Sequence, residues 1–173
     1  MLKEIVERRS CRFFDPSKKV KEEDIQKIID AGLRAPSGMN RQESVIVVFS
    51  TYEMRNKLAA LNMKWVTWDS KDPFYDAPVI FLVMNKKSPF AEVDGACVIE
   101  NMLLEATHLG LGSIWIHRAK EEVESEEGKA LLAATGLNLD EYQGIGHAAV
   151  GYKLEGVYPP EKKIKEGRVF YIK

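Results

Sequence analysis

The sequence predicts a layered domain of the α/β or α+β class, and three observations carry that expectation. Short apolar runs that suit strands alternate along the chain with segments of helical period. One helical segment, residues 92–109, is apolar round most of its circumference. The chain has 173 residues, enough for one domain with an ordinary hydrophobic core and no need of metals or disulfides.

The elements follow in order. Residues 22–34 put Ile25, Ile28, Ile29, Gly32 and Leu33 at helical spacing behind an acidic first turn of Glu22, Glu23 and Asp24. An amphipathic helix is expected there, stopped by Ala35-Pro36-Ser37-Gly38. Residues 45–49, Val-Ile-Val-Val-Phe, have no polar alternation, so a strand buried on both faces is expected. A helix should run from Tyr52 to about Met63. An aromatic patch follows, with Trp65, Trp68, Phe74 and Tyr75, which suits a pocket wall and plain core equally well. Residues 79–83 repeat the strand signal after Pro78. In the long helix, Ala96, Val98, Ile99, Met102, Leu103, Leu104, Ala106 and Leu109 demand burial almost all round. In so small a protein, a subunit interface is where the second face would go. Residues 126–134 suggest another helix, and residues 113–116, 148–150 and 169–172 suggest strands. No repeat, low-complexity tract or linker interrupts the chain, so residues 1–173 are read as one domain.

Composition narrows the function. Lys and Arg number 25 against 26 Asp and Glu, a net charge of −1, which argues against a nucleic-acid partner. No run approaches the roughly 20 apolar residues needed to span a bilayer, and the first residues do not read as a signal peptide, so a cytoplasmic protein is expected. The two cysteines, Cys11 and Cys97, make neither a disulfide framework nor a zinc motif; Cys97 reads as a small core residue. No His, Cys and carboxylate set has metal-ligand spacing.

Four segments could carry chemistry. Arg8-Arg9-Ser10-Cys11-Arg12 packs three guanidiniums and a hydroxyl into five residues, and guanidinium matches phosphate oxygens bidentately. Alone, it reads more readily as a solvated basic helix end than as a site. Ala35-Pro36-Ser37-Gly38-Met39-Asn40-Arg41-Gln42 offers backbone N–H groups and short polar side chains, as an ordinary turn also does. Leu109-Gly110-Leu111-Gly112-Ser113-Ile114-Trp115-Ile116-His117-Arg118 runs from a helix directly into a strand. Its glycines allow positive φ and close backbone approach, but a G-x-G that precedes a strand is no dinucleotide fingerprint. Lys162-Lys163-Ile164-Lys165-Glu166-Gly167-Arg168, after Tyr158-Pro159-Pro160, is a basic stretch that also suits a charged tail. His117 and His147 follow apolar runs and could sit at strand ends near a site. His108, on the long helix, suits a core or an interface.

The order of these segments is more specific than any one of them. R-R-S-x-R, then A-P-S-x-x-N-x-Q, a buried strand, G-L-G-S-x-W-I, G-Y and a basic C-terminal stretch resembles the FMN-dependent nitroreductase family over nearly the whole chain. The resemblance implies an α+β fold, a three-layer α/β/α sandwich with a central mixed, mainly antiparallel sheet, and an obligate homodimer with FMN at its interface. It implies that Arg8 and Ser10 hold the FMN phosphate and ribityl chain, and that Arg12 faces the pyrimidine side of the flavin. Pro36, Ser37, Gly38 and Asn40 would reach the flavin from the partner subunit. Trp115, Ile116 and His117 would pass by its N5 edge, and a basic pair, Lys163 and Lys165, would close on the phosphate. Arg9 and Gln42, inside the same motifs, join the candidate set. The implied activity is reduction of a small organic acceptor, nitroaromatic or quinone-like, by NADH or NADPH. Dehalogenation, ring oxidation, flavin fragmentation and a non-catalytic flavin sensor are the alternatives. This chain departs from the family where Glu43-Ser44 stand in place of the usual Pro-Trp, and where Ile164 replaces a common arginine.

Overall fold

Four strands form the middle layer of the structure, a computed structural model that describes residues 1–157 and 160–173. They are β1 (Ser44–Phe49), β2 (Val79–Lys86), β3 (Gly112–Ile116) and β4 (Tyr142–Gly151), in the order β1-β2-β4-β3 with every ladder antiparallel. An isolated parallel bridge joins Ser10 to Ser113 and makes the pairing mixed.

Strand β2 shows why the sheet needs a helical layer on each side. Side chains alternate across a strand. Ile80, Leu82 and Met84 enter one core with Leu58, Val123 and Leu132, from α3 (Tyr52–Asn62), α5 (Ala119–Glu124) and α6 (Glu126–Leu132). Phe81 and Val83 enter the other, with Ile28 from α2 (Glu22–Leu33) and Ile99 and Met102 from α4 (Ala91–His108). All five of these β2 side chains are 0% exposed. Burying each of this size contributes about 1.5–3 kcal/mol. The three-layer arrangement follows from that two-sided burial.

Local signals place the boundaries. The acidic first turn opens α2 at Glu22, and the Thr51 hydroxyl accepts from the Met54 N–H (3.3 Å) to start α3. Gly110 takes φ +77, and a Cβ at Gly112 would lie 2.8 Å from Cys11 Sγ, so both glycines of the helix-to-strand turn are needed. A short helix α1 (Lys3–Glu7) precedes the arginine-rich segment.

Four expectations are corrected. Strand β1 lies at the sheet edge and is half-buried except at Phe49, because the helical layers cover an edge strand only in part. Helix α4 is not buried all round. Its inward stripe, Ala91, Asp94, Gly95, Val98, Ile99, Met102, Leu103 and Ala106, keeps helical period, while Val93 stands 60% exposed on the other face. Cys97 shares that outer face and is exposed, and the buried cysteine is Cys11. Residues 169–172 form no strand and are exposed, because no sheet edge of this chain pairs with them. Tyr158 and Pro159 lie outside the described residues. The aromatic patch divides: Phe74 is core, Trp65 is half-buried, and Trp68 and Tyr75 line a cleft. His108 is exposed, with Nδ1 2.9 Å from Glu4 Oε1, and His147 is fully buried in β4.

Candidate active site

The arginine-rich segment reaches the sheet through backbone pairing. The Cys11 N–H donates to the Ser113 carbonyl (3.0 Å) beside the Ser10–Ser113 bridge. The Asp15 N–H donates to Tyr152 and the Leu154 N–H to Phe13, so residues 10–15 are held between β3 and the chain after β4. Extended backbone alternates its side chains. Cys11 therefore enters the core, where burial pushes its thiol pKa up, and Arg12 turns outward to the cleft.

That cleft has a volume of about 480 Å³, within the ~300–1,000 Å³ usual for ligand pockets. Arg12, Trp115, Ile116 and His117 line it, with Trp68 and Tyr75 opposite the strand segment. The Trp115 and His117 rings, two residues apart on one strand face, are 6.1 Å from each other. Trp115 Nε1 is buried against Gly146 of β4, with no hydrogen-bond partner among the described residues. Neither Arg8 nor Arg12 is paired with a carboxylate among the described residues, whereas Arg55 pairs with Asp72 and Arg118 with Glu121. Of the candidate phosphate-end residues, Arg8 and Ser10 do not line this cleft; the unpaired Arg12 guanidinium beside the Trp115, Trp68 and Tyr75 rings suits an anionic, ring-bearing ligand.

Arg8 sits half-buried at the end of α1. Arg9 is committed elsewhere: Nη1 donates to the Val6 and Arg8 carbonyls, and Nε donates to the Pro160 carbonyl at 3.2 Å. It closes the C-terminus of α1, which is the charged-helix-end role open to it in the sequence.

Pro36, Ser37, Gly38, Asn40 and Gln42 do not line this cleft. They form a separate turn around the 3-10 segment Gly38–Asn40. The Gly38 N–H donates to Asp94 Oδ1 (2.9 Å), the Gln42 N–H to Ser37 Oγ (3.0 Å) and the Gln42 side-chain amide to Asn40 Oδ1 (3.0 Å). Lys163 and Lys165 are exposed on the C-terminal segment, also away from the cleft.

Several lining residues carried no signal in the sequence. Asn62 ends α3, and Lys120 and Glu121 open α5. Burial raises the Glu121 pKa, but hydrogen bonds from its own N–H and from Arg118 outweigh that and hold it below the usual carboxylate range. Tyr75 is placed by Asp72, whose carboxylate accepts the Phe74 N–H (3.0 Å) and the Asp76 N–H (2.6 Å). Only the tertiary fold brings this turn opposite β3.

Comparisons with known proteins fit this arrangement. A crystal structure of a nitroreductase with bound FMN from Bacteroides fragilis is 31% identical, with a TM-score of 0.88 over 98% of this chain and 97% of that one. A BluB-like flavoprotein from Clostridium difficile is 27% identical, with a TM-score of 0.77 over 98% and 97%. A protein of Archaeoglobus fulgidus named as an NADH dehydrogenase/NAD(P)H nitroreductase is 32% identical over 119 residues, 66% of each chain, so the match spans just under two thirds of that relative. The sequence profile of the nitroreductase family matches residues 5–152, and the chain belongs to that family.

Proposed function

We propose that this chain binds FMN in the β3 cleft and uses NADH or NADPH to reduce a small organic acceptor, nitroaromatic or quinone-like, in a ping-pong cycle. The observation that carries the reading is the Ser10–Ser113 bridge, which brings Arg12 to Trp115, Ile116 and His117. The FMN bound in the Bacteroides fragilis relative supports it.

Bound FMN supplies hydride acceptance and return, so no acid or base of the protein is required for that transfer. The residues of this chain bind and orient. Arg8 and Ser10 hold the phosphate end, where several fixed donors are needed for a near-dianion. Arg12 puts a cation at the ring end, which favours the added negative charge of the reduced ring. Trp115, Ile116 and His117 form the wall by the reacting edge, and Trp68 and Tyr75 narrow the entrance. Reductant and acceptor use the same opening in turn.

The same reading makes the protein a homodimer. Leu2, Ile5 and Val6 in and beside α1, Val93 of α4 and residues 169–172 all stand exposed, apolar side chains that a second copy would cover. A second copy would bring the Pro36–Gln42 turn, Lys163 and Lys165 to a cleft that one chain leaves without them. A cytoplasmic setting fits the nicotinamide reductant. Purified protein should show the visible absorption of flavin, and NADH or NADPH should bleach it rapidly without oxygen. A colourless protein that cannot be reconstituted with FMN overturns the proposal. The likeness to a BluB-like flavoprotein favours a second reading, bound FMN serving another reaction, and it predicts colour without rapid bleaching.

A further inference from the structure

The cleft wall at the end of β3 rests on a buried polar network, of which only Asn62 belongs to the cleft lining. His147 of β4 is 0% exposed, and Glu122 of α5 and Asn62 of α3 are each 1% exposed. His147 Nε2 lies 2.7 Å from Glu122 Oε2, and His147 Nδ1 lies 3.2 Å from the Ile116 carbonyl oxygen. Asn62 Nδ2 donates to the His117 carbonyl at 3.0 Å and to Glu122 Oε1.

The partners determine where the hydrogens are. A carbonyl only accepts, so His147 Nδ1 carries a proton. The short contact between Nε2 and Oε2 needs one more, held by the histidine or by the carboxyl, since two lone pairs would otherwise face each other. The Asn62 amide meets a carbonyl and a carboxyl oxygen, both acceptors, so its nitrogen must be the atom between them. The network is therefore closed: each named donor has an acceptor.

Packing keeps it dry and in register. A Cβ at Gly144 would fall 2.0 Å from the Ala119 carbonyl oxygen, so only glycine lets α5 lie close enough on β4 for Glu122 to reach His147. The Phe74 ring stands edge-on to His147, with centroids 5.2 Å apart. Apolar side chains of similar volume would often stabilise such a core equally well. What the polar trio adds is direction. It grips two successive carbonyls, Ile116 and His117, both in residues that line the cleft, just before Arg118 takes φ +82.

We propose that Asn62, Glu122 and His147 are positioning residues, which orient the Ile116–His117 backbone, and the turn into Arg118, toward the bound flavin. The proposal rests on the reading of the cleft as an FMN site. Glu122→Gln preserves every bond: its Oε1 accepts from Asn62, and its amide N–H donates to Nε2 of a neutral His147. Glu122→Leu keeps the volume and strands both neighbours.

Two readouts on the purified protein test it, FMN dissociation constants and backbone amide NMR of the FMN-free protein. Glu122→Gln should bind FMN within about 3-fold of wild type, and folded Glu122→Leu about 10-fold or more weaker, because its Ile116–His117 backbone is no longer held in the binding orientation. The His117 and Arg118 amides should move in Glu122→Leu and stay in Glu122→Gln. A folded Glu122→Leu with unchanged amides, or a Glu122→Gln impaired as much, overturns the proposal. Should Glu122→Leu not fold, the wild-type His147 ring nitrogens decide: an Nδ1 without a proton overturns it. Should wild type not bind FMN, the functional reading fails while the amide shifts still test the network.

Discussion

The β3 cleft and the Pro36–Gln42 turn are two candidate regions built by the same chain to different degrees of completion. At β3, Arg12, the strand end and the turn that carries Pro73 and Tyr75 line one cavity, backed by the closed Asn62–Glu122–His147 network. The Pro36–Gln42 turn is held just as firmly, through Asp94 and its own side chains, yet faces no cavity shared with its supposed partners. Backbone strain marks both. All six non-glycine residues with positive φ among those described fall here: Met39, Asn40 and Gln42 in the turn, Tyr75 and Asp76 opposite β3, and Arg118 at the cleft rim. Such conformations cost about 1–3 kcal/mol each and persist where the surroundings over-determine them. The difference fits the proposed dimer: folding alone builds the cleft at β3, and the turn is left for a second copy to use.

The strongest way to break this comparison is to prevent association. Val93→Asp, on the outer face of α4, should give monomers with almost no bound flavin and an intact fold, read by light scattering, absorbance and circular dichroism. A monomer that keeps its flavin would show the β3 cleft to be sufficient alone.

A smaller loss is expected within the assembled region. Arg8→Ala should weaken FMN binding by about 10- to 100-fold, the worth of a charge-assisted hydrogen bond. Cys11→Ala should keep flavin content, because its thiol packs in the core. Equal flavin in both variants breaks the division of roles along the arginine-rich segment.

The two cysteines sharpen the comparison next. Cys97 lies on the α4 face assigned to the partner, while Cys11 is buried with its thiol pKa raised by that burial. In the proposed dimer a thiol reagent at neutral pH should label both slowly. In Val93→Asp it should label Cys97 fast and Cys11 still slowly.

The smallest effect concerns α1, which carries the arginine segment. Its Glu4 hydrogen-bonds His108 at the end of α4, which raises the histidine pKa and lowers that of the carboxyl. Because the histidine is raised in the folded state, its contribution is full below its unfolded value of about 6.5 and is lost as pH climbs through the folded value. The carboxylate contributes above its own unfolded value and fades as pH falls through the depressed one. Amide exchange in α1, corrected for intrinsic rates, should therefore be slowest in mildly acidic solution and slightly faster at alkaline pH. His108→Gln should remove that difference.

Much of this molecule was legible in one dimension. Periodicity located α2, α3, α4 and α6, and unbroken β-branched runs located β1 and β2, because those patterns report what a residue's immediate neighbours must bury. The glycines that lead into β3 announced a close approach, and Gly112, its first residue, against Cys11 is that approach. The order of the motifs pointed to the family, since segments that serve one ligand keep their sequence order even when each is weak alone.

Other features were decided only by the tertiary fold. Arg9 and Arg12 stand three residues apart with the same side chain, yet one closes a helix end and the other faces the cleft, a choice made by the pairing of Ser10 with Ser113. Cys97, expected in the core, is exposed, because helical period says which residues share a face and not which face meets the core. Residues 169–172 have strand composition and no strand, because β structure needs an edge to pair with. Of the Asn62–Glu122–His147 network only His147 stood out in the sequence: its members lie far apart in the chain, and only the packing of α3 and α5 on β4 brings their hydrogen bonds together.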